Sequence, residues 1–521
     1  MLVAGVDSST QSTKVLLCRA DDGTVVGRGS APHPDGTETD PAAWWAALAK
    51  AGEGLLEQAA AVGVAGQQHG MVVLDSGGEV IRPALLWNDL RSASAAAALI
   101  RERGGPLWWA TQTGSVPTAS FTVTKLRWLA EHEPEHAART AAVMLPHDWL
   151  TWRLRGARGE RERAAGQPET GPRAGQEQPP DMVTDRGDAS GTGYFSPAAG
   201  QWLPDVLSAA LGHPAALPRV ARPAEAVGET AWGAAVAAGT GDNMGAALGL
   251  ALQPGQVAVS IGTSGTAFAV TTVPAADSSG AVAGFADATG HFLPLVCTVN
   301  AGLVLSAVAD LTGTDLAGLS DAALAAAPGA GGITLLPYLD GERTPNRPHA
   351  SGVLRGLTTR NATRQNLARA GVEAVLASLA DAAGLLAAHG VEQRGVLLIG
   401  GGARSEAVRQ LAPGIFGAPV TVPEPEEYVA LGAARQAAWA LAGTPDPPGW
   451  PRRPAAEYTG RPCPSSATGL PTSGTPPSRG QKGPMNTASA SHPGPPAPAA
   501  TAQPFIHDHG HFSALCAQDR P

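Results

Sequence analysis

Asp7-Ser8-Ser9-Thr10-Gln11-Ser12-Thr13-Lys14 follows the apolar run Leu2 to Val6. Small side chains let backbone amides approach a phosphate, hydroxyls add donors, and Asp7 is placed to hold Mg2+ through water. A polar hairpin turn has the same composition. Gly262-Thr263-Ser264-Gly265-Thr266 follows a second apolar run, Val257 to Ile261, and offers the same chemistry. Two such loops behind matching strands point to a phosphate clamp. Gly400-Gly401-Gly402-Ala403-Arg404 follows Val396 to Ile399 and precedes a helix, so bare backbone there can lie flat against a nucleotide base or ribose. Its spacing is not the GxGxxG of a dinucleotide fingerprint, and the chain has no GxxxxGK[ST] loop. The alternative is a tight strand-to-helix turn.

Phosphoryl transfer needs held phosphates, a divalent metal and a carboxylate near the accepting hydroxyl. Gly239-Thr240-Gly241-Asp242-Asn243 supplies an acid in a glycine-flanked loop, where Asp242 can take the proton of an attacking hydroxyl. Asp in such a loop is otherwise a turn-former. Gly66-Gln67-Gln68-His69-Gly70 and Leu86-Trp87-Asn88-Asp89 cluster hydrogen-bonding groups beside a Trp. That suits a polyhydroxylated ligand whose hydroxyls must each be matched. His69 alone would more often be structural.

Positioning these groups requires strands. Leu2 to Val6 and Val15 to Cys18 read as a hairpin with Asp7 to Thr13 as its loop, and Asp22-Gly23 turns the chain again. Val257 to Ile261, a loop at 262–266 and Ala267 to Val270 repeat that unit, which implies two related domains. Asp40-Pro41 opens a helix with an acidic cap and a proline in its first turn, with Trp44, Trp45, Leu48, Leu55 and Leu56 on its apolar face. Thr363 to His389 and Val429 to Ala442 read as helices closed by Gly390 and Gly443.

At 521 residues the chain is too long for one ordinary domain, and 43% hydrophobic content suffices for real cores. We expect an N-terminal domain at 1–237, a C-terminal domain at 238–457 and a disordered Pro/Ser/Thr-rich tail at 458–521. The polar stretch at about 157–181 reads as a disordered surface insertion, because it has little apolar surface to bury. A net charge of −9 gives nucleic acid or an anionic membrane no electrostatic footing. No run approaches the ~18 uninterrupted apolar residues of a membrane span. Cys18, Cys297, Cys463 and Cys516 lack metal or disulfide spacing, so a soluble cytoplasmic protein is predicted. His507-Asp508-His509-Gly510-His511 reads as a solvated run.

Taken in order, VAGVDSSTQSTK, AGQQHG, PALLWNDLRS, LPHDWL, TDRGDASGT, GTGDN, SIGTSGT, LPYLDGERTPN, LLIGGGARS and VALGAA resemble the FGGY carbohydrate kinases. They spread from residue 3 to about 434, and GQQHG with LWND is most similar to the bacterial branch acting on D-xylulose. The resemblance implies an α/β fold of two ribonuclease H-like (actin-like ATPase) domains facing across a catalytic cleft. It implies ATP and Mg2+ as cofactors and a small-molecule sugar as substrate, with no nucleic-acid or membrane partner; a homodimer is compatible with it. Asp242 would be the catalytic base that deprotonates the terminal 5-hydroxyl, and Asp7 would serve the metal-phosphate end. Gln68, His69, Trp87, Asn88, Asp89 and Asn243 would bind the sugar. Thr10, Gln11, Ser12, Thr13 and Lys14 would grip phosphates together with Gly262, Thr263, Ser264, Gly265 and Thr266. Gly401, Gly402, Ala403 and Arg404 would border the adenosine.

Three departures stand out: Gln68 stands where many xylulose-acting members carry Met, the polar insertion interrupts the chain between LPHDWL and TDRGDASGT, and the tail replaces a usual further helix. The alternatives are the same chemistry on L-ribulose, glycerol, gluconate or L-fuculose, an actin-like ATP-binding module without sugar chemistry, and a crippled kinase.

Overall fold

The computed structural model describes residues 1–156, 181–451 and 455–460. The predicted insertion, apart from Asp181, and the predicted tail beyond Gly460 lie outside them, as do Cys463, Cys516 and the histidines near 507–511. Two seven-stranded sheets dominate. In the first, Leu2–Ser8 lies in the middle, antiparallel to Ser12–Arg19 and parallel to Ala61–Gly66. Every residue of that strand beyond Leu2 is buried, as expected where both neighbours are paired and both faces are covered. In the second sheet, Gln256–Ile261 is antiparallel to Gly265–Ala269 and parallel to Gly395–Ile399. The repeated unit anticipated from the sequence is therefore present at the level of the ladder.

Both hairpins are tighter than predicted. Asp7 pairs opposite Lys14 and Ser8 opposite Thr13, so only residues 9–11 form the first loop. Ile261 pairs opposite Gly265, which leaves 262–264 as the second. Asp40 caps the helix Pro41–Gly52 by accepting from the Ala42 amide. That helix buries Trp44 and Leu48 but ends before Leu55 and Leu56, which enter a separate 3₁₀ turn.

Arg364–Ala387, capped by Thr363, is long and apolar enough to cross a bilayer. Its side chains instead form much of the second core, and Arg369 pairs with Glu373 2.6 Å away. The boundary expected at 237/238 falls just before Thr240–Gly241, a short strand that pairs with Ala61–Gly66 of the first sheet. The helix Tyr428–Ala442, from the far end of the sequence, also packs on Leu2–Ser8 and Ala61–Gly66. It crosses the helix Asp242–Gly249 at glycines: a Cβ on Gly432 would lie 1.9 Å from the Gly245 carbonyl oxygen. Just ahead of the expected tail, Ala455–Tyr458 adds an edge strand against Val420–Pro423.

Candidate active site

Ala61–Gly66 and Thr240–Gly241 run parallel, with Ala65 opposite Thr240 and Gly66 opposite Gly241. Chain leaving the two strands delivers Gln68 and Asp242 side by side. Asp242 is the first residue of a helix, where the sequence suggested an open loop. The Asn243 side-chain amide donates to Asp242 Oδ1 at 2.8 Å and reaches Gln68 Oε1 at 3.4 Å, while the Asn243 backbone amide donates to Asp242 Oδ1 at 2.7 Å. Burial pushes the Asp242 carboxyl up to about 6 against these hydrogen bonds. A carboxylate tuned there is mostly ionised at neutral pH yet basic enough to accept a proton. Gln68 Nε2 and both amide atoms of Gln67 are buried without a protein partner among the described residues, which leaves hydrogen-bonding capacity for a ligand.

His69 adopts φ +68°, a left-handed conformation unusual for a residue with a Cβ. It is held there: its Nδ1–H donates to the Gly191 carbonyl at 2.5 Å, and its ring packs on Phe121 with centroids 4.6 Å apart. Its own carbonyl accepts from Thr122 Oγ1 at 3.2 Å and from Lys125 Nζ at 3.1 Å. Burial, helped by Lys125, pushes the imidazole down to about 3, so the ring is neutral. Lys125 was missed in the sequence. It is fully buried, its ammonium also donates to the Ser120 carbonyl, and burial lowers it to about 7.

The Trp87 indole donates to Thr10 Oγ1 at 2.7 Å, joining the predicted sugar loop to the first phosphate loop. Asn88 donates to the Gly36 carbonyl at 3.4 Å. Asp89 has its carboxylate engaged by protein donors, accepting from Arg91 at 2.9 Å and from Thr37 Oγ1 at 2.7 Å. Thr13 is likewise withdrawn from the phosphate loop: it is buried in the ladder and its hydroxyl meets His33 Nε2 at 2.8 Å. Gly265 and Thr266 lie in strand pairing and not in the second loop, leaving 262–264 exposed. That loop is tied to the next helix by Gly302 N–H donating to the Gly262 carbonyl at 2.9 Å.

Asp7 is 4% exposed and its Oδ1 has no protein partner among the described residues. Burial pushes its carboxyl up to about 7, Lys14 opposes this, and Asp242 and Glu427 add to it. A buried, unpartnered carboxyl oxygen among neighbouring carboxylates fits a divalent cation, which would return Asp7 to its ionised form. Lys14 pairs with Glu427 at 2.6 Å, across 413 positions of sequence. Gly400 sits against the end of the second sheet's central strand, its hypothetical Cβ 2.7 Å from the Ile261 carbonyl oxygen. The glycine run, with Gly401 exposed, Gly402 partly so, Ala403 buried and Arg404 exposed, therefore adjoins the second phosphate loop.

Residues 2–249 match the N-terminal domain, and residues 257–441 the C-terminal domain, of the FGGY family of carbohydrate kinases. The chain belongs to that family and has its two-domain, actin-like fold. It is 49% identical to a xylulose kinase of Streptomyces coelicolor over 459 residues, covering 85% of this chain and 88% of that protein. Against the xylulose kinase of Escherichia coli K12 the identity is 35% over 457 residues, covering 83% and 89%. The crystal structure of xylulose kinase from Bifidobacterium adolescentis superposes with a TM-score of 0.81 at 45% identity, covering 89% of this chain and 97% of that one.

Proposed function

We propose that this chain transfers the γ-phosphoryl group of ATP to the 5-hydroxyl of D-xylulose, with Asp242 as general base. The observation that carries this reading is the Asp242–Asn243–Gln68 constellation, a hydrogen-bonded carboxylate raised toward neutrality beside unsatisfied amides. Its relatives' shared name, xylulose kinase, supplies the sugar.

Asp242 accepts the hydroxyl proton as the oxygen attacks phosphorus in line, and Asn243 keeps the carboxylate aimed. Gln67, Gln68 and the neutral His69 match sugar hydroxyls, with Trp87 and Asn88 at the rim; Asp89 serves by fixing Arg91 and Thr37 behind them. Thr10, Gln11, Ser12 and Lys14 face the phosphates from one domain and 262–264 from the other. Lys14 has Glu427 as its present partner and would exchange it for phosphate. Asp7 would hold Mg2+, which supplies charge neutralisation on the phosphates when bound. Residues 400–404 would border the adenosine. The described cysteines, Cys18 and Cys297, are thiols, in keeping with a cytoplasmic setting.

A coupled ADP-release assay with Mg-ATP and D-xylulose, L-ribulose, glycerol, gluconate and L-fuculose tests this. Turnover stimulated by D-xylulose alone supports both the reaction and the sugar. A different preferred acceptor keeps the kinase and removes the substrate assignment, and ATP binding with no stimulation by any acceptor removes the reaction.

A further inference from the structure

LPHDWL and TDRGDASGT, separated by the polar stretch in sequence, meet directly behind Asp242. His147 Nδ1 lies 2.6 Å from Asp188 Oδ2, and its Nε2 faces Asp148 Oδ1 at 3.3 Å and Asp185 Oδ1 at 3.9 Å. All four side chains are buried. Burial alone would keep the imidazole neutral, but the three carboxylates outweigh it and hold it as an imidazolium. A metal ion does not suit the cluster: ligands about 2.1 Å from one tetrahedral ion sit more than 3 Å apart, whereas Nδ1 and Oδ2 are at hydrogen-bond separation.

The buried cluster grips the backbone that carries Asp242. Gly239 has φ +82°, and a Cβ there would lie 2.4 Å from His147 Cδ2 and 2.8 Å from the Val64 carbonyl oxygen. The imidazole thus fills the place of a side chain. Thr240 Oγ1 donates to Asp185 Oδ2 at 3.1 Å. Asp185 is itself fixed by the amides of Gly187 and Asp188, at 2.8 and 2.9 Å. Gln436 Nε2 donates to the Gly239 carbonyl at 2.9 Å. The two residues ahead of Gly241 and Asp242 are therefore held from three separate elements.

We infer that His147, Asp185 and Thr240 are positioning residues for phosphoryl transfer, holding the 239–241 backbone so that Asp242 meets the acceptor hydroxyl. The inference rests on the reading of Asp242 as base. His147 and Asp185 are buried and act through Gly239 and Thr240.

The test measures kcat and KM of the full chain with Mg-ATP and D-xylulose for Thr240→Val, Thr240→Ser and Asp242→Asn. Thr240→Val should lose about 10- to 100-fold in kcat, the scale expected when a reacting group is misplaced by a fraction of an ångström to an ångström, with both KM values within about twofold. Thr240→Ser, which keeps the hydroxyl, should recover most of the rate. Asp185→Asn provides a second route to the same kcat loss should the valine variant not fold. Wild-type kcat in folded Thr240→Val overturns the proposal, as does a kcat loss that Thr240→Ser fails to rescue. If Asp242→Asn retains its rate, the base reading falls. If Asp242→Asn is inactive while Thr240→Val and Asp185→Asn turn over normally, the positioning role alone falls.

Discussion

Replacing Asp242 with Asn should make the protein nearly inactive and, at neutral pH, more stable. Asn keeps the shape, and its Oδ1 can still accept from the Asn243 backbone and side-chain amides that now bind the carboxylate. What disappears is a charge that burial disfavours. The carboxyl is raised from 3.8 to about 6. That shift corresponds to about 3 kcal/mol in differential interaction, of which about 1–2 kcal/mol survives the partial exposure of the group.

The sign follows from which state binds the proton. Between pH 3.8 and 6 the folded protein holds a proton that the unfolded chain releases, so wild-type stability falls as pH rises through that window. Above pH 6 the full penalty is present, and the variant should melt a few degrees higher than wild type. By about pH 4 the wild type has neutralised the group itself and the advantage should be gone. Melting curves at pH 7.5, 5.5 and 4, beside ADP-release rates at pH 7.5, measure both halves. The rate should fall by about 10²- to 10⁴-fold, the usual contribution of a general base. Melting that is unchanged at pH 7.5, or raised equally at every pH, would refute the electrostatic reasoning; an unchanged rate would refute the chemical assignment.

Gly432→Ala puts a Cβ 1.9 Å from the Gly245 carbonyl oxygen, a backbone atom that cannot swing away. Overpacking of about 1–3 kcal/mol should exceed the roughly 1 kcal/mol gain in helix propensity, so the urea midpoint should drop, and a midpoint at or above wild type sinks the argument. Lys125→Met removes the donor to the His69 carbonyl, and the sugar KM should rise about tenfold, as expected when a binding loop loses its preorganisation. Because the folded amine sits near 7 and the unfolded one at 10.5, the Lys125 contribution to stability falls as pH drops from 10.5 to 7, and the stability of wild type relative to the Met variant should fall with it across that window by denaturant titration. Chelation should abolish ADP release and Mg2+ restore it. With Asp7 near 7, Mg2+ added at pH 6.5 should release up to about one proton per chain, seen with a pH indicator, and no release in Asp7→Asn.

The loops that carry the chemistry were legible because each follows a continuous apolar run, and such runs are what a strand buried on both faces requires. Composition could not tell where those strands stop. Thr13 looks like another hydroxyl of a phosphate loop, yet register puts it opposite Ser8 with its hydroxyl on His33, twenty positions on. Asp89 looked available until Arg91 and Thr37 were seen to share it. His147, Lys125 and Glu427 could not be assigned roles, because what defines each is a partner 41, 56 or 413 positions away. The adjacent acids and histidine of LPHDWL were a signal, but nothing local says whether such a group faces solvent, a metal or other carboxylates.

The helix Asp242–Gly249 performs two tasks from one short segment. Its first residue is the proposed base, and Gly245 and Gly249, later in the same helix, meet Gly432 backbone to backbone. A helix start favours an anion by about 0.3–1 kcal/mol, less than one pKa unit. Placement at the N-terminus should therefore have lowered the Asp242 carboxyl, and its rise to about 6 means that burial outweighs both the dipole and the Asn243 hydrogen bonds. A carboxylate free in water at the same helix start would be a poor base near its ordinary value of 3.8. The basicity that phosphoryl transfer needs comes from the surroundings of the carboxyl, and the helix that carries it is packed at Gly245 and Gly249 by a helix arriving from the C-terminal half of the chain.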